Sequence, residues 1–136
     1  MPNDFNQRII DEFRANAGKV GGPFAGAPMV LLTSIGAKSG QPHTTPLVYM
    51  QDGERIVVFA SMGGAPRNPA WYHNLVAHSD VSIEVGTERY AAKAVITSGD
   101  ERDTLFRRQA TLIPTFDEYQ KKTTRTIPVI ALERAT

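Results

Sequence analysis

The sequence predicts a mainly β protein, a mostly antiparallel barrel with peripheral helices, and three observations carry that expectation. Short stretches rich in β-branched and apolar residues recur along the chain, turn signals separate them at hairpin spacing, and the gaps are too short for a βαβ series. With 136 residues and no linker or internal repeat, one domain over 1–136 is expected.

Phe5, Ile9, Ile10 and Phe13 share one face at helical spacing, with charged residues between them and Gly18 placed to end the helix. The glycine- and proline-rich stretch 21–28 suits an extended connection. Residues 29–34, 44–50 and 55–60 read as strands, the last two joined through Asp52-Gly53, a strong hairpin signal. Val81, Ile83 and Val85 alternate with Ser82 and Glu84 as in a half-buried strand, so 81–85 and 89–96 form a second hairpin about Gly86. A sixth strand covers 127–132. Asn68 before Pro69 is a good cap for a short helix over 69–77, with Trp71 and Leu75 on one face. Ser98 with Glu101, and Thr115 with Glu118, match the capping box and predict helices over 99–112 and 116–123.

Composition narrows the function. Fifteen basic residues against 14 acidic ones leave a formal charge of +1, which gives no electrostatic case for nucleic acid or an anionic membrane as main partner. The absence of cysteine removes disulfides, thiolate zinc sites, iron–sulfur clusters and thiol catalysis. Asp4, Arg8, Asp11, Glu12 and Arg14 interrupt the segment where a signal peptide needs an apolar run, and no run approaches the roughly 20 apolar residues of a membrane span. A cytoplasmic protein is expected. Its first helix could make weak peripheral contact with a bilayer, but packing over the barrel accounts better for its mixed charge.

Two segments could carry chemistry. The loop 36–44 combines glycines with Lys38, Ser39, Gln41, His43 and Thr44, so it could offer backbone N–H groups and a cation to a phosphate or carboxylate. It serves equally well as a solvated hairpin loop, and it lacks the order of a P-loop. Residues 60–71 place small residues and the pair Gly63-Gly64 before a helix N-terminus, allowing close approach of backbone to a planar ring. Gly63-Gly64 could also be only a turn, Trp71 only core and Arg67 only a surface cation. His43, His73 and His78 lack metal-ligand spacing, so no metal is expected, and no serine sits in a nucleophile-elbow motif. The acidic run 100–103 suits helix capping and the helix dipole better than acid–base catalysis, while Tyr119 suits a pocket or a packed rim.

Residues 31–41, Thr45-Pro46-Leu47-Val48-Tyr49, residues 61–75, and Tyr119 with Arg125-Thr126-Ile127-Pro128 together resemble the deazaflavin-dependent nitroreductase family over nearly the whole chain. The resemblance implies a split β-barrel like that of the FMN-binding pyridoxamine oxidases, coenzyme F420 as cofactor, and hydride transfer to quinones, nitroaromatics or similar electron-poor acceptors. It assigns the cofactor's phosphate and oligoglutamate tail to Lys38, Ser39, Gly40, Gln41 and His43, with Thr44 beside them. The ring is assigned to Pro46, Leu47, Val48, Ala60, Ser61, Met62, Gly63 and Gly64, with Arg67, Asn68 and Trp71 completing the pocket. Tyr49, Ser61 and Tyr119 would face the acceptor.

The chain departs from that family in carrying Ala37 and Met62 where cations are common, and Ile113 and Phe116 where tyrosines occur. An FMN-dependent reductase of the same fold and a non-catalytic deazaflavin carrier are the alternatives. A homodimer is compatible with the fold.

Overall fold

The computed structural model describes residues 4–22, 26–61 and 64–135. Helix α1 (Asp4–Ala15) precedes strands β1 (Met29–Ile35), β2 (Pro42–Val48), β3 (Met50–Asp52) and β4 (Arg55–Phe59). Helix α2 (Ala70–Ala77), strands β5 (Asp80–Val85) and β6 (Glu88–Ile96), helices α3 (Gly99–Leu112) and α4 (Thr115–Lys122), and strand β7 (Val129–Arg134) complete the chain. All strands belong to one antiparallel sheet in the order β2-β1-β5-β6-β7-β4-β3.

That order fixes the shape. β2 and β3 are the two edges of the sheet, yet only Tyr49 separates them in sequence. Seven strands laid flat would put the edges roughly 29 Å apart at about 4.8 Å per strand, whereas the step from Val48 to Met50 spans at most about 7 Å. The sheet therefore curls until its edges meet at Tyr49, and β2 leaves the seam to pair with β1 while β3 pairs with β4. The single strand expected over 44–50 is thus two strands, which raises the count from six to seven.

Curling gives each strand an inner and an outer face. Val30, Leu32, Ile56, Val58, Val81, Ile83, Ile130 and Leu132 fill the interior together with Trp71 and Leu75 of α2. The outer side of β1 carries Met29 and Leu31, which pack on Ile9, Ile10 and Phe13 of α1. Val57, Phe59 and Val129 face outward beneath Leu105, Phe106 and Ala110 of α3. Strands β1, β4 and β7 are consequently apolar on both faces, a pattern usual in fully covered sheets. Ile9, Ile10 and Phe13 of α1 pack on the barrel while Phe5 of the same face stays exposed, and no helix among the described residues is long and apolar enough to cross a membrane.

The Asp52-Gly53 turn forms as expected, with Asp52 opposite Arg55 and Gly53 at φ +61°. The turn after α1 closes at Gly18, whose N–H bonds to the Phe13 carbonyl at 2.8 Å and whose Cα leaves room for Gly86 of the β5–β6 turn; a Cβ there would come within 2.7 Å of Gly86 Cα. The three expected side-chain caps do not form. Ser98 and Pro69 are N-cap residues without a cap bond, and Thr115 lies inside α4, whose N-cap is Pro114. Longer-range partners take two of these side chains: Asn68 accepts from Arg125, and Glu101 pairs with Arg55.

The β3–β4 hairpin is tied to α3 by charge. Asp52 receives Arg55 at 2.5 Å and Arg108 at 2.7 Å, and those two guanidinium groups hold its carboxyl below the usual range, Arg55 contributing most. A carboxylate with a lowered native pKa adds stability that is complete above its ordinary value of 3.8 and fades as pH falls through the native value. Asp52→Asn should therefore lower unfolding free energy by about 1 kcal/mol at neutral pH, and urea melts should show the gap from wild type closing toward acid.

Candidate active site

The loop after β1 is folded upon itself. Gly36 N–H bonds to the Gln41 carbonyl at 2.8 Å, Gly40 N–H returns to the Gly36 carbonyl at 3.0 Å, and Gly40 takes φ +69°. Ser39 Oγ accepts from Gln41 N–H at 3.1 Å and lies 3.4 Å from His43 Nε2. A Cβ at 36 would overlap Ser39 Oγ and come within 3.0 Å of His43 Nε2, so a larger residue there would displace those two side chains. Asn74 of α2 pins the loop, accepting from Ala37 N–H at 3.0 Å and reaching Ser34 Oγ at 3.5 Å.

This folding leaves donors unspent. Lys38 is exposed and makes no ion pair among the described residues, and the N–H groups of Lys38 and Ser39 have no partner there. They border a cavity of about 770 Å³ whose walls are Lys38, Ser39, His43, Thr44 and Thr45 on one side, Trp71, His73 and Asn74 of α2 on another, and Asn6, Gln7 and Ile10 of α1 on a third. One cation, two imidazoles and several amides and hydroxyls around a cleft of that size suit an elongated polyanion.

A second group of expected residues lies on the connection 60–68 between β4 and α2. Its organiser is Arg125, in the segment between α4 and β7. Arg125 Nε donates to the Ala65 carbonyl at 2.9 Å, Nη1 to the Ala60 carbonyl at 3.1 Å and Asn68 Oδ1 at 2.8 Å, and Nη2 to the Ser61 carbonyl at 2.9 Å. No carboxylate pairs with it among the described residues, and loss of water lowers its pKa from the ordinary arginine value. Gly64, at φ +84°, lies against α4: a Cβ there would come within 2.8 Å of the Tyr119 carbonyl and 3.0 Å of Lys122 Cβ. The ring of Tyr119 packs edge-on against Phe116 at 5.3 Å, and Phe116 against Phe59 at 5.5 Å. The hydroxyls of Ser61 and Tyr119 have no hydrogen-bond partner among the described residues.

The family model for F420H(2)-dependent quinone reductases matches residues 6–134. The chain belongs to this family. Its cofactor is coenzyme F420, and it is a reductase that uses the reduced form. Over 128 residues it is 39% identical to an F420H(2)-dependent quinone reductase of Mycobacterium tuberculosis, covering 90% of this chain and 85% of that protein. A solved structure described as an F420-H2 dependent reductase is 36% identical, with TM-score 0.72 over 78% of this chain and 94% of its own. A second, described as a domain-swapped dimer, is 33% identical, with TM-score 0.74 over 96% and 95%. A Listeria innocua protein described as a candidate pyridoxamine 5′-phosphate oxidase, 11% identical with TM-score 0.59 over 97% and 94%, shares the fold, the split barrel expected from the sequence.

The donor set of the cavity fits this cofactor, whose phosphate and oligoglutamate tail are anionic. Of the expected cofactor residues, Lys38, Ser39, His43, Thr44 and Trp71 line the cavity, with Gly40 and Gln41 on the same loop. Pro46, Leu47 and Val48 continue along β2, and Ala60, Ser61, Gly64, Arg67 and Asn68 lie on the connection that Arg125 organises. Met62 and Gly63 lie outside the described residues. Tyr49 lines a depression with Gly18, Met29, Val85 and Gly86, at the end of β1 opposite the Lys38 loop. Asn6, Gln7, His73, Asn74 and Arg125 were not among the expected site residues. The helical phase that buries Trp71 and Leu75 would have put Asn74 on the adjoining face, whereas His73 falls on the opposite, exposed one.

Gly64→Ala should lower unfolding free energy by about 2 kcal/mol, because alanine is strained at this φ and its methyl group meets a backbone carbonyl. Thermal melts check it, with Gly53→Ala as control, since that position has positive φ but open space.

Proposed function

We propose that the chain reduces quinones, and nitroaromatic or similar electron-poor acceptors, with the reduced deazaflavin. The observation that carries this reading is the cavity between the Lys38 loop, α2 and α1, walled by unspent cationic and N–H donors. Lys38, the N–H groups of Lys38 and Ser39, and His43 hold the anionic tail, with Gln41 beside them on the loop; Trp71 and Thr44 form the wall toward the ring. Bound there, the reduced cofactor supplies hydride from its C5 position. Ser61 and Tyr119 act on the acceptor side. Their hydroxyls, without a partner among the described residues, donate hydrogen bonds to the acceptor oxygen that gains negative charge, and the Tyr119 phenol can pass it a proton. Phe116, between Phe59 and Tyr119, keeps that side apolar and holds the Tyr119 ring by its edge.

The relative described as a domain-swapped dimer favours a homodimer of this chain as well. A non-catalytic carrier accounts less well for two hydroxyls that have no partner among the described residues.

Lys38→Ala should weaken binding of oxidised coenzyme F420 by about tenfold, the loss of one charge-assisted contact. Fluorescence titration checks this, and wild-type protein should prefer the deazaflavin to FMN. Unchanged affinity in the variant would move the tail elsewhere. Ser61→Ala and Tyr119→Phe should each slow menadione reduction by about tenfold or more at unchanged cofactor affinity. Wild-type rates in both would remove the acceptor-side assignment.

A further inference from the structure

Among the described residues, the guanidinium of Arg125 makes all its hydrogen bonds to one connection. Its four acceptors, the carbonyls of Ala60, Ser61 and Ala65 and the Asn68 side chain, lie 57 to 65 positions away, and none belongs to a strand or helix. The barrel does not need this contact, since ladders already join β4 to β7 and β7 to β6. Four acceptors arranged about one plane require the rigid five-donor fork of arginine, which the flexible, three-donor ammonium of lysine does not reproduce.

The backbone that carries Arg125 is itself fixed from α4. Gln120 Nε2 donates to the Arg125 carbonyl at 2.7 Å, and Gln120 Oε1 accepts from Ile127 N–H at 3.1 Å and Arg102 Nη2 at 3.0 Å. Arg102 also holds the Ile127 carbonyl from Nε and Nη2, at 3.0 and 2.8 Å. Tyr119 precedes Gln120 on the same helix, and Gly64 packs on the Tyr119 carbonyl. One polar frame therefore joins the Ser61 backbone to the helix that bears Tyr119.

We propose that Arg125 is a positioning residue for acceptor reduction: it fixes the 60–68 backbone so that the Ser61 hydroxyl is held in register with Tyr119. This rests on the acceptor-side reading of Ser61 given above. Because the Lys38 loop is pinned separately by Asn74, cofactor affinity and acceptor turnover come apart when Arg125 changes.

The test uses the full chain with Arg125→Lys, Ser61→Ala and the double variant. It reads amide hydrogen exchange without cofactor, the Kd for oxidised coenzyme F420, and kcat and KM with menadione. In Arg125→Lys, exchange across the described part of 60–68 should rise about tenfold with β1 and β5 unchanged. The Kd should stay within about threefold and kcat should fall about tenfold or more, a split that a general loss of stability does not produce. The double variant should be no slower than Arg125→Lys by more than about twofold, because both changes remove one interaction. A wild-type kcat in Arg125→Lys with Ser61→Ala slow overturns the inference alone. A Kd that rises in step with the loss of kcat, or effects that multiply in the double variant, also overturns it. A wild-type rate in Ser61→Ala overturns the acceptor-side reading and the inference with it. If Arg125→Lys does not fold, Gln120→Ala, which loosens the Arg125 backbone while keeping the guanidinium, should lower kcat about threefold or more at unchanged Kd; a wild-type kcat there overturns the proposal.

Discussion

A single residue, Tyr49, joins the two edge strands of a seven-stranded sheet, and the rest of the architecture follows from that junction. Edges so connected force the sheet to curl, and a curled sheet has an interior to fill and an exterior to cover. Large aliphatic side chains from β1, β4, β5 and β7 fill the one, while α1 and the α3–α4 pair cover opposite flanks of the other. The barrel then offers its connections at two ends. The loop after β1 meets α2 at one end and forms the main cavity, while Tyr49 and the β5–β6 turn frame a smaller depression at the other.

The site separates into two mechanical units with different electrostatics. The Lys38 loop satisfies its own turn and docks on Asn74, leaving a cation and two N–H groups without a partner among the described residues at the edge of the cavity. In a chain of net charge +1 such local arrangement has to provide the anion binding, because there is no overall field to do so. The 60–68 connection is the reverse case. Its carbonyls face a partly buried guanidinium that has no carboxylate partner among the described residues, so the backbone itself solvates the charge. That contact sets loop shape more than barrel stability.

What could be read from the sequence was local. Asp52-Gly53 announced its hairpin because the two-residue loop between Asp52 and Arg55 needs positive φ at its first position, which glycine supplies, and Ile9, Ile10 and Phe13 announced a helix with one buried face. The bend at Tyr49 was hidden, since residues 44–50 have continuous strand chemistry and the break is imposed by closure of the sheet. The capping signals at Asn68 and Glu101 misled because arginines distant in sequence outcompeted the adjacent backbone N–H groups. Lys38, His43 and Trp71 could be named from a motif, and the fold brings all three to one cavity. Asn74 and Arg125 act through partners 37 to 65 positions away and become visible only in the fold.

The central claim is that this barrel is a catalyst that passes hydride from reduced coenzyme F420 to an electron-poor acceptor. Mixing purified protein anaerobically with the reduced deazaflavin, then adding menadione and following the return of oxidised-cofactor absorbance, tests it most directly. The account predicts saturable, protein-dependent oxidation well above the protein-free rate, with FMN failing to substitute. Tight cofactor binding without acceptor-dependent oxidation across a panel of quinones, or turnover supported by FMN instead, would contradict it.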